Sequence, residues 1–189
     1  MSESTVEIHL ATVADLPEVR TIRLRALQDA PYAFASTYER EAAFDDADWV
    51  ERLTSGSSTF LARVGGTTVG ICSGLPPRDD VIELVAMWVD PAARGSGVAA
   101  ELVRAVSAWA ADQRADRVHL SVAGTNERAK RFYEKLGFVL TGEQQPLPSD
   151  PSVPEFGMVR RIGVDRPSQE ATDSPKAGCD SLRSDRVGR

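Results

Sequence analysis

The apolar run Val81-Ile82-Glu83-Leu84-Val85-Ala86-Met87-Trp88-Val89 passes directly into Asp90-Pro91-Ala92-Ala93-Arg94-Gly95-Ser96-Gly97-Val98-Ala99. No other stretch constrains the chain as much. The apolar run predicts a central strand, buried on both faces. The segment from Val98 to about Gln113 predicts a helix. Between them, Arg94, Gly97 and Ala99 form an R-x-x-G-x-A pattern at the helix entrance. Small residues there let a ligand's phosphates approach the main chain. The first turn of a helix has N–H groups without internal partners, and its dipole end is positive. Arg94, Gly95, Ser96, Gly97, Val98 and Ala99 are therefore candidates for a pyrophosphate cradle. The alternative is an ordinary strand-to-helix turn that binds nothing. A dinucleotide fold would place G-x-G-x-x-G after the first strand, and a nucleotide hydrolase would end its loop in Gly-Lys-Ser/Thr. Neither pattern is present.

A second motif lies about 30 residues downstream. Asn126-Glu127-Arg128-Ala129-Lys130-Arg131-Phe132-Tyr133-Glu134-Lys135-Leu136-Gly137-Phe138 predicts one helix and its exit. Asn126 is suited to cap the helix. Ala129, Phe132, Tyr133 and Leu136 recur at helical spacing and form an apolar face. Gly137 suits the position just past the helix end. Taken alone, Phe132 and Tyr133 suggest core packing.

In this order, with helix and strand between them, the two motifs resemble the GNAT superfamily of acyl-coenzyme A-dependent N-acetyltransferases. In that family R/Q-x-x-G-x-G/A binds the pyrophosphate of coenzyme A, and an N-x-x-A-x-x-F-Y-x-K-x-G-F helix completes the site. The resemblance covers roughly Val6 to Ile162. It implies an α/β (α+β) fold with a mixed, mostly antiparallel sheet of six to seven strands and about four flanking helices. A splayed parallel strand pair would admit acetyl-CoA as co-substrate. The resemblance also implies main-chain contacts to the cofactor arm at Met87, Trp88 and Val89, and further contacts from Asn126 and Phe132. It leaves monomer and homodimer both open.

Length and composition agree with the single acetyltransferase domain that the resemblance implies over residues 1–164, long enough to bury a core. The chain is 42% hydrophobic, yet no apolar run approaches the roughly 18 residues that span a bilayer. Met1-Ser2-Glu3-Ser4 lacks a basic region followed by an apolar one, so a cytoplasmic location is the expectation. Cys72 and Cys179 suggest neither a disulfide framework nor a metal site. A net charge of −6 argues against nucleic acid as partner. Residues 165–189 are polar and charged, with too little apolar surface to offset ordering, and are expected to be disordered.

The remaining pattern predicts a strand at Val6–Thr12, then a helix capped by Asp15 with Pro17 in its first turn. A second helix opens at Asp45 or Asp46 and carries Trp49, Val50 and Leu53. Ser58–Arg63 and Thr67–Gly74 flank Gly65-Gly66, a hairpin signature. Further strands are predicted at Arg117–Val122, Phe138–Glu143 and Phe156–Ile162. The stretch from Gln144 to Pro154 contains four prolines and predicts a stiffened loop.

Acetyl transfer to an amine requires loss of a proton from nitrogen, stabilisation of an oxyanion and departure of a thiolate. The resemblance makes Tyr133, seven residues after Asn126, the candidate general acid. Glu83 is the one acid in its strand. Burial there would raise its pKa and suit it to act as base. Its spacing of eleven residues to Arg94 matches the catalytic glutamate of some relatives, histone acetyltransferases among them. The ribosomal-protein N-terminal acetyltransferases of the family place a glutamate where this chain has Ser121, which weakens that specificity. His119 is expected to be a strand residue. The acceptor pocket is expected from Arg25–Glu39 and the Gln144–Pro154 segment. Phe34 and Tyr38 are candidate walls, and Glu39 or Glu41 a candidate ammonium site. The expected acceptor is a primary amine on a small metabolite, amino-acid derivative or antibiotic. The alternatives are a peptide or protein amine, or a non-catalytic acyl-CoA-binding regulatory module.

Overall fold

The computed structural model describes residues 5–163 except residue 149. The expectations for the first four residues, for Cys179 and for the polar segment 165–189 fall outside them. Among the described residues the elements in order are β1 (Val6–Leu10), α1 (Leu16–Asp29), α2 (Tyr38–Ala42), α3 (Asp46–Thr54), β2 (Ser58–Val64), β3 (Thr67–Gly74), β4 (Val81–Val89), α4 (Val98–Asp112), β5 (Arg117–Ala123), α5 (Glu127–Lys135), β6 (Val139–Leu147) and β7 (Asp150–Arg161). The seven strands form one sheet in the order β1-β2-β3-β4-β5-β7-β6. Only β4 and β5 pair in parallel. The expected mixed, mostly antiparallel sheet is present.

Strand alternation assigns the two faces. Phe60, Ala62, Cys72, Ile82 and Leu84 turn to one face, where Val98, Leu102, Val103 and Val106 of α4 and Tyr133 of α5 cover them. Leu61, Ile71 and Trp88 turn to the other, under Val19, Ile22, Ala26 and Leu27 of α1. The result is a three-layer arrangement whose helices bury their apolar stripes on a twisted sheet. No helix among the described residues is long and apolar enough to cross a membrane.

Local chemistry explains most element ends. Gly65 and Gly66 both have positive φ, +56° and +78°, as the two-residue β2–β3 turn requires. Asp45 caps α3, accepting the Asp48 N–H at 2.9 Å. Asp15 stands at the N-cap position of α1, but its carboxylate does not cap that helix. It turns back to accept from the Thr12 N–H at 2.9 Å and meets His9 Nε2 at 2.9 Å.

The stiffened loop expected over Gln144–Pro154 is instead mostly strand. β6 and β7 form a long hairpin, with Gln144 opposite Phe156 and Pro146 opposite Pro154. Proline removes a ladder donor, so it is tolerated only where no partner needs one. Pro146 lies on the sheet-edge strand. Pro151 and Pro154 lie where β7 has run past the end of β5, which pairs only from Glu155 onward.

Candidate active site

The β4–β5 pairing lasts three residues, Val81 with Arg117, Ile82 with Val118 and Glu83 with His119. Beyond Glu83 the strands part, and the edge of β4 from Leu84 to Val89 that faces β5 has no strand partner among the described residues. The opposite edge of β4 stays on β3, with one irregularity. Val85 pairs with Ser73 and Trp88 with Ile71, so Ala86 and Met87 together oppose Cys72. This is a β-bulge. Ala86 takes φ +56°, a left-handed conformation that costs a non-glycine residue about 1–2 kcal/mol. The bulge also swaps faces. Ile82 and Leu84 point to the α4 side before it, and Val89 does so after it.

The gap opens into a cleft of about 1080 Å³, walled by β4, the loop before α4, α5, the start of β7 and the segment between α1 and α3. Glu83, Met87, Trp88, Val89, Arg94, Gly95, Gly97, Ala99, Asn126, Phe132 and Tyr133 all line it. Of the residues expected at the site, Ser96 and Val98 do not. The Ser96 hydroxyl donates to the Ala93 carbonyl at 2.7 Å. The Val98 side chain is fully buried against the sheet, so only its main chain remains for a ligand.

Gly97 precedes α4 with φ +90° and makes no side-chain cap. Gly95 has φ +89°. A Cβ at either would meet nothing within 4 Å, so backbone conformation, not space, calls for glycine. The uncapped first turn of α4 is thus open to an anion. Gly97→Val is expected to weaken acetyl-CoA binding about tenfold or more, since strain of about 1–3 kcal/mol falls on the loop that presents these N–H groups. Titration calorimetry with acetyl-CoA checks this. Unchanged affinity would remove the loop from the site.

Arg94 is tied down rather than extended. Its Nε donates to the Val89 carbonyl at 3.0 Å and its Nη2 pairs with Asp29. Asp29 also accepts from Trp88 Nε1 at 2.9 Å. The Trp88 bond, helped by Arg94, holds the Asp29 carboxyl below the usual range against the effect of burial. Arg94 therefore pins the loop to β4 and to the end of α1. The donors left free at the start of α4 are chiefly main-chain. Asp29 was not apparent as a site residue from sequence.

Asn126 caps α5, its side-chain oxygen accepting the Ala129 N–H at 3.0 Å. The cap uses only the oxygen of the side-chain amide, and the residue lines the cleft. The Tyr133 ring is fixed by edge contacts to Phe132 (centroids 5.0 Å) and Phe138 (5.6 Å). Burial, and next the nearby Cys72, push its phenol well above the ordinary value, so it keeps its proton at neutral pH.

Glu83 corrects an expectation. It is exposed, not buried, because it is the last paired residue before the strands part and its side chain meets the open cleft. Its neighbour Glu155 stands at the start of the β5–β7 pairing and has a raised carboxyl pKa. Burial, and to a smaller degree the charge of Glu83, push Glu155 up, against a 3.3 Å hydrogen bond from Gln145. Glu155 lies one residue before Phe156, where the sequence pattern predicts its strand to begin, so that pattern does not single it out. His119 and Ser121 lie on β5 as expected.

The wall between α1 and α3 also departs from expectation. Phe34 lines the cleft, but Tyr38 and Glu39 do not. Glu41 is unavailable to an ammonium. It is 1% exposed and takes a two-pronged bond from Arg23, Nε to Oε2 at 2.8 Å and Nη2 to Oε1 at 2.7 Å. Arg52 Nη1 approaches it at 3.5 Å.

Comparison with known proteins accords with this arrangement. A protein of Mycobacterium tuberculosis named as an uncharacterized N-acetyltransferase is 39% identical over 103 residues, 54% of this chain and 66% of the relative. The match thus spans just under two thirds of that relative's length. A GNAT-family acetyltransferase from Streptococcus pneumoniae superposes with TM-score 0.72 at 20% identity, over 84% of this chain and 100% of its own. A putative acetyltransferase from Salmonella typhimurium, solved with acetyl-CoA, gives TM-score 0.70 at 18% identity, over 86% of this chain and 97% of its own. The acetyltransferase (GNAT) family model matches residues 20–138, from within α1 to the end of the α5 motif. With more than half of the chain under that model and a sheet parted at β4–β5, the chain belongs to the GNAT family of acetyltransferases.

Proposed function

We propose that this chain transfers the acetyl group of acetyl-CoA to the primary amine of a small molecule by direct attack within a ternary complex. The observation that carries this is the single cleft that joins the uncapped start of α4, the parted edge of β4 and the α1–α3 wall. One end offers N–H groups to a pyrophosphate. The middle offers free strand edge to an extended amide-bearing arm. The walled remainder suits a small acceptor better than a long chain.

The chemistry follows from these positions. The amine nitrogen attacks the thioester carbonyl, forming a C–N bond as the C–S bond breaks. Main-chain N–H groups on the parted edge near the bulge stabilise the oxyanion. Glu83, directly or through a water, takes the proton that the amine must lose, and Glu155 beside it keeps that side of the cleft acidic. Tyr133, held protonated by burial, donates to the departing thiolate sulfur. Alignment of the two substrates supplies most of the rate gain.

Thiol release from acetyl-CoA, measured separately with pooled small amines and pooled peptides, tests the proposal. Release with the small-amine pool supports it. Release only with peptides transfers the reading to a protein-modifying enzyme. Silence in both pools, with acetyl-CoA bound, points to a regulatory module. Glu83→Gln is expected to lower kcat about 100-fold at neutral pH. The loss should shrink as pH rises and the free-amine fraction grows. A loss that stays constant with pH would count against a base at Glu83.

A further inference from the structure

The α1–α3 wall carries more positive charge than its own structure uses. Arg23, Arg40 and Arg52 line the cleft there, with Glu41 as the carboxylate among them. Arg23 is 4% exposed, and its fork to Glu41 engages only Nε and Nη2. Its third nitrogen, Nη1, is buried without a hydrogen-bond partner among the described residues. A buried guanidinium N–H left unmade is costly, and an acceptor reaching it from the cleft would remove that cost. Phe34 holds the group in place, its ring centroid 4.6 Å from Arg23 Cζ. Arg52 is half-buried beside the same carboxylate. Burial, and then the charges of Arg23 and Arg40, depress its pKa, with Glu41 only partly offsetting them. Arg23 and Arg52 therefore share one carboxylate, the exposed Arg40 adds a third positive charge near Arg52, and Glu83 and Glu155 line the same cleft.

We propose that this arginine wall binds an anionic oxygen group on the acceptor, so that the substrate is an amine that also bears a carboxylate or a phosphate. This rests on the acetyl-transfer reading above. The arginines hold the anion by charge-assisted hydrogen bonds, which guanidinium geometry favours for both groups. The acceptor's ammonium then lies toward Glu83 and Glu155, which attract it before it loses its proton. The same charge layout disfavours polycationic amines such as polyamines and aminoglycosides.

The test compares matched acceptors in the thiol-release assay on the full chain. One pair of pools contains α-, β- and γ-amino acids against their carboxamides. The other pair is phosphoethanolamine against ethanolamine. The anionic member of one pair is expected to have at least tenfold higher kcat/KM, expressed in KM, and the pair that shows it separates carboxylate from phosphate. In an Arg40→Gln/Arg52→Gln variant, which leaves the buried Arg23–Glu41 fork intact, the ratio should fall toward one. A wild-type ratio at or below one in both pairs, or a ratio unchanged in the variant, overturns the anion site while acetyl transfer stands. A second readout separates the two readings. With CoA present, glutarate but not glutaramide should raise the thermal midpoint of the wild type and not of the variant. If no amine is turned over yet glutarate acts in this way, the anion site stands and acetyl transfer falls. If glutarate has no effect and no amine is turned over, both fall.

Discussion

Tyr133→Phe is expected to lower kcat for thiol release by about 100-fold or more, the usual worth of a positioned general acid. The KM for acetyl-CoA should change little. The substitution removes one oxygen and keeps the ring between Phe132 and Phe138. Burial holds the phenol protonated across the neutral range, so the wild-type donor should not titrate out as pH rises through it. The loss should shrink with an acyl donor whose thiol is more acidic, because such a leaving group needs less help. Steady-state kinetics with both donors check this. An unchanged kcat would remove Tyr133 as the acid and leave its ring as core packing.

Glu41→Ala carries the largest expected effect on stability. It would strand the buried Arg23 guanidinium, and breaking a buried pair from one side costs about 3–5 kcal/mol. For a chain of this size that corresponds to a fall in Tm on the order of 10 °C. Replacing both partners by apolar residues of similar volume should recover most of the loss, since neither charge is then left alone. The pair also sets a pH dependence. Burial raises the Glu41 carboxyl, but the Arg23 bonds and the charges of Arg23 and Arg52 together outweigh it and hold it below its ordinary 4.5. As pH falls, the unfolded chain therefore takes up this proton before the folded one. The stabilisation is present in full above about that ordinary value and is lost as pH drops below it. Glu41→Ala should flatten that acid limb in urea titrations. An unchanged limb would place the acid sensitivity elsewhere.

Where alternation, capping and glycine placement act locally, the chain can be read directly. The strand–loop–helix of Val81–Asp112, the Gly65-Gly66 hairpin and the α5 helix from its Asn126 cap to Gly137 follow from residues within a few positions of one another. The bulge at Ala86 does not. Val85 to Val89 is apolar throughout, so no polar residue marks the change of face. The β6–β7 hairpin was hidden by its prolines, which read as loop until the strand order shows that their missing donors face no neighbour. Glu83 looked buried because an apolar run hides the point at which β5 departs. Asp29, Glu155 and the Arg23–Glu41 fork depend on contacts between distant segments, such as Trp88 with Asp29, that spacing alone does not specify. The strand, loop and helices proposed to hold the cofactor were therefore largely legible as structure. The acceptor side was not, because it is built from tertiary pairings rather than from a motif.

Acetyl transfer to a small amine is tested most directly by stoichiometry. Acetyl-CoA and the small-amine pool are incubated with the protein, and free thiol and acetylated amine are counted together, the latter by mass spectrometry. One acetylated small amine is expected for each thiol released, with no acetyl group retained on the protein. Thiol released without acetylated amine, or acetyl found only on peptides or on the protein itself, would contradict direct transfer to a small acceptor.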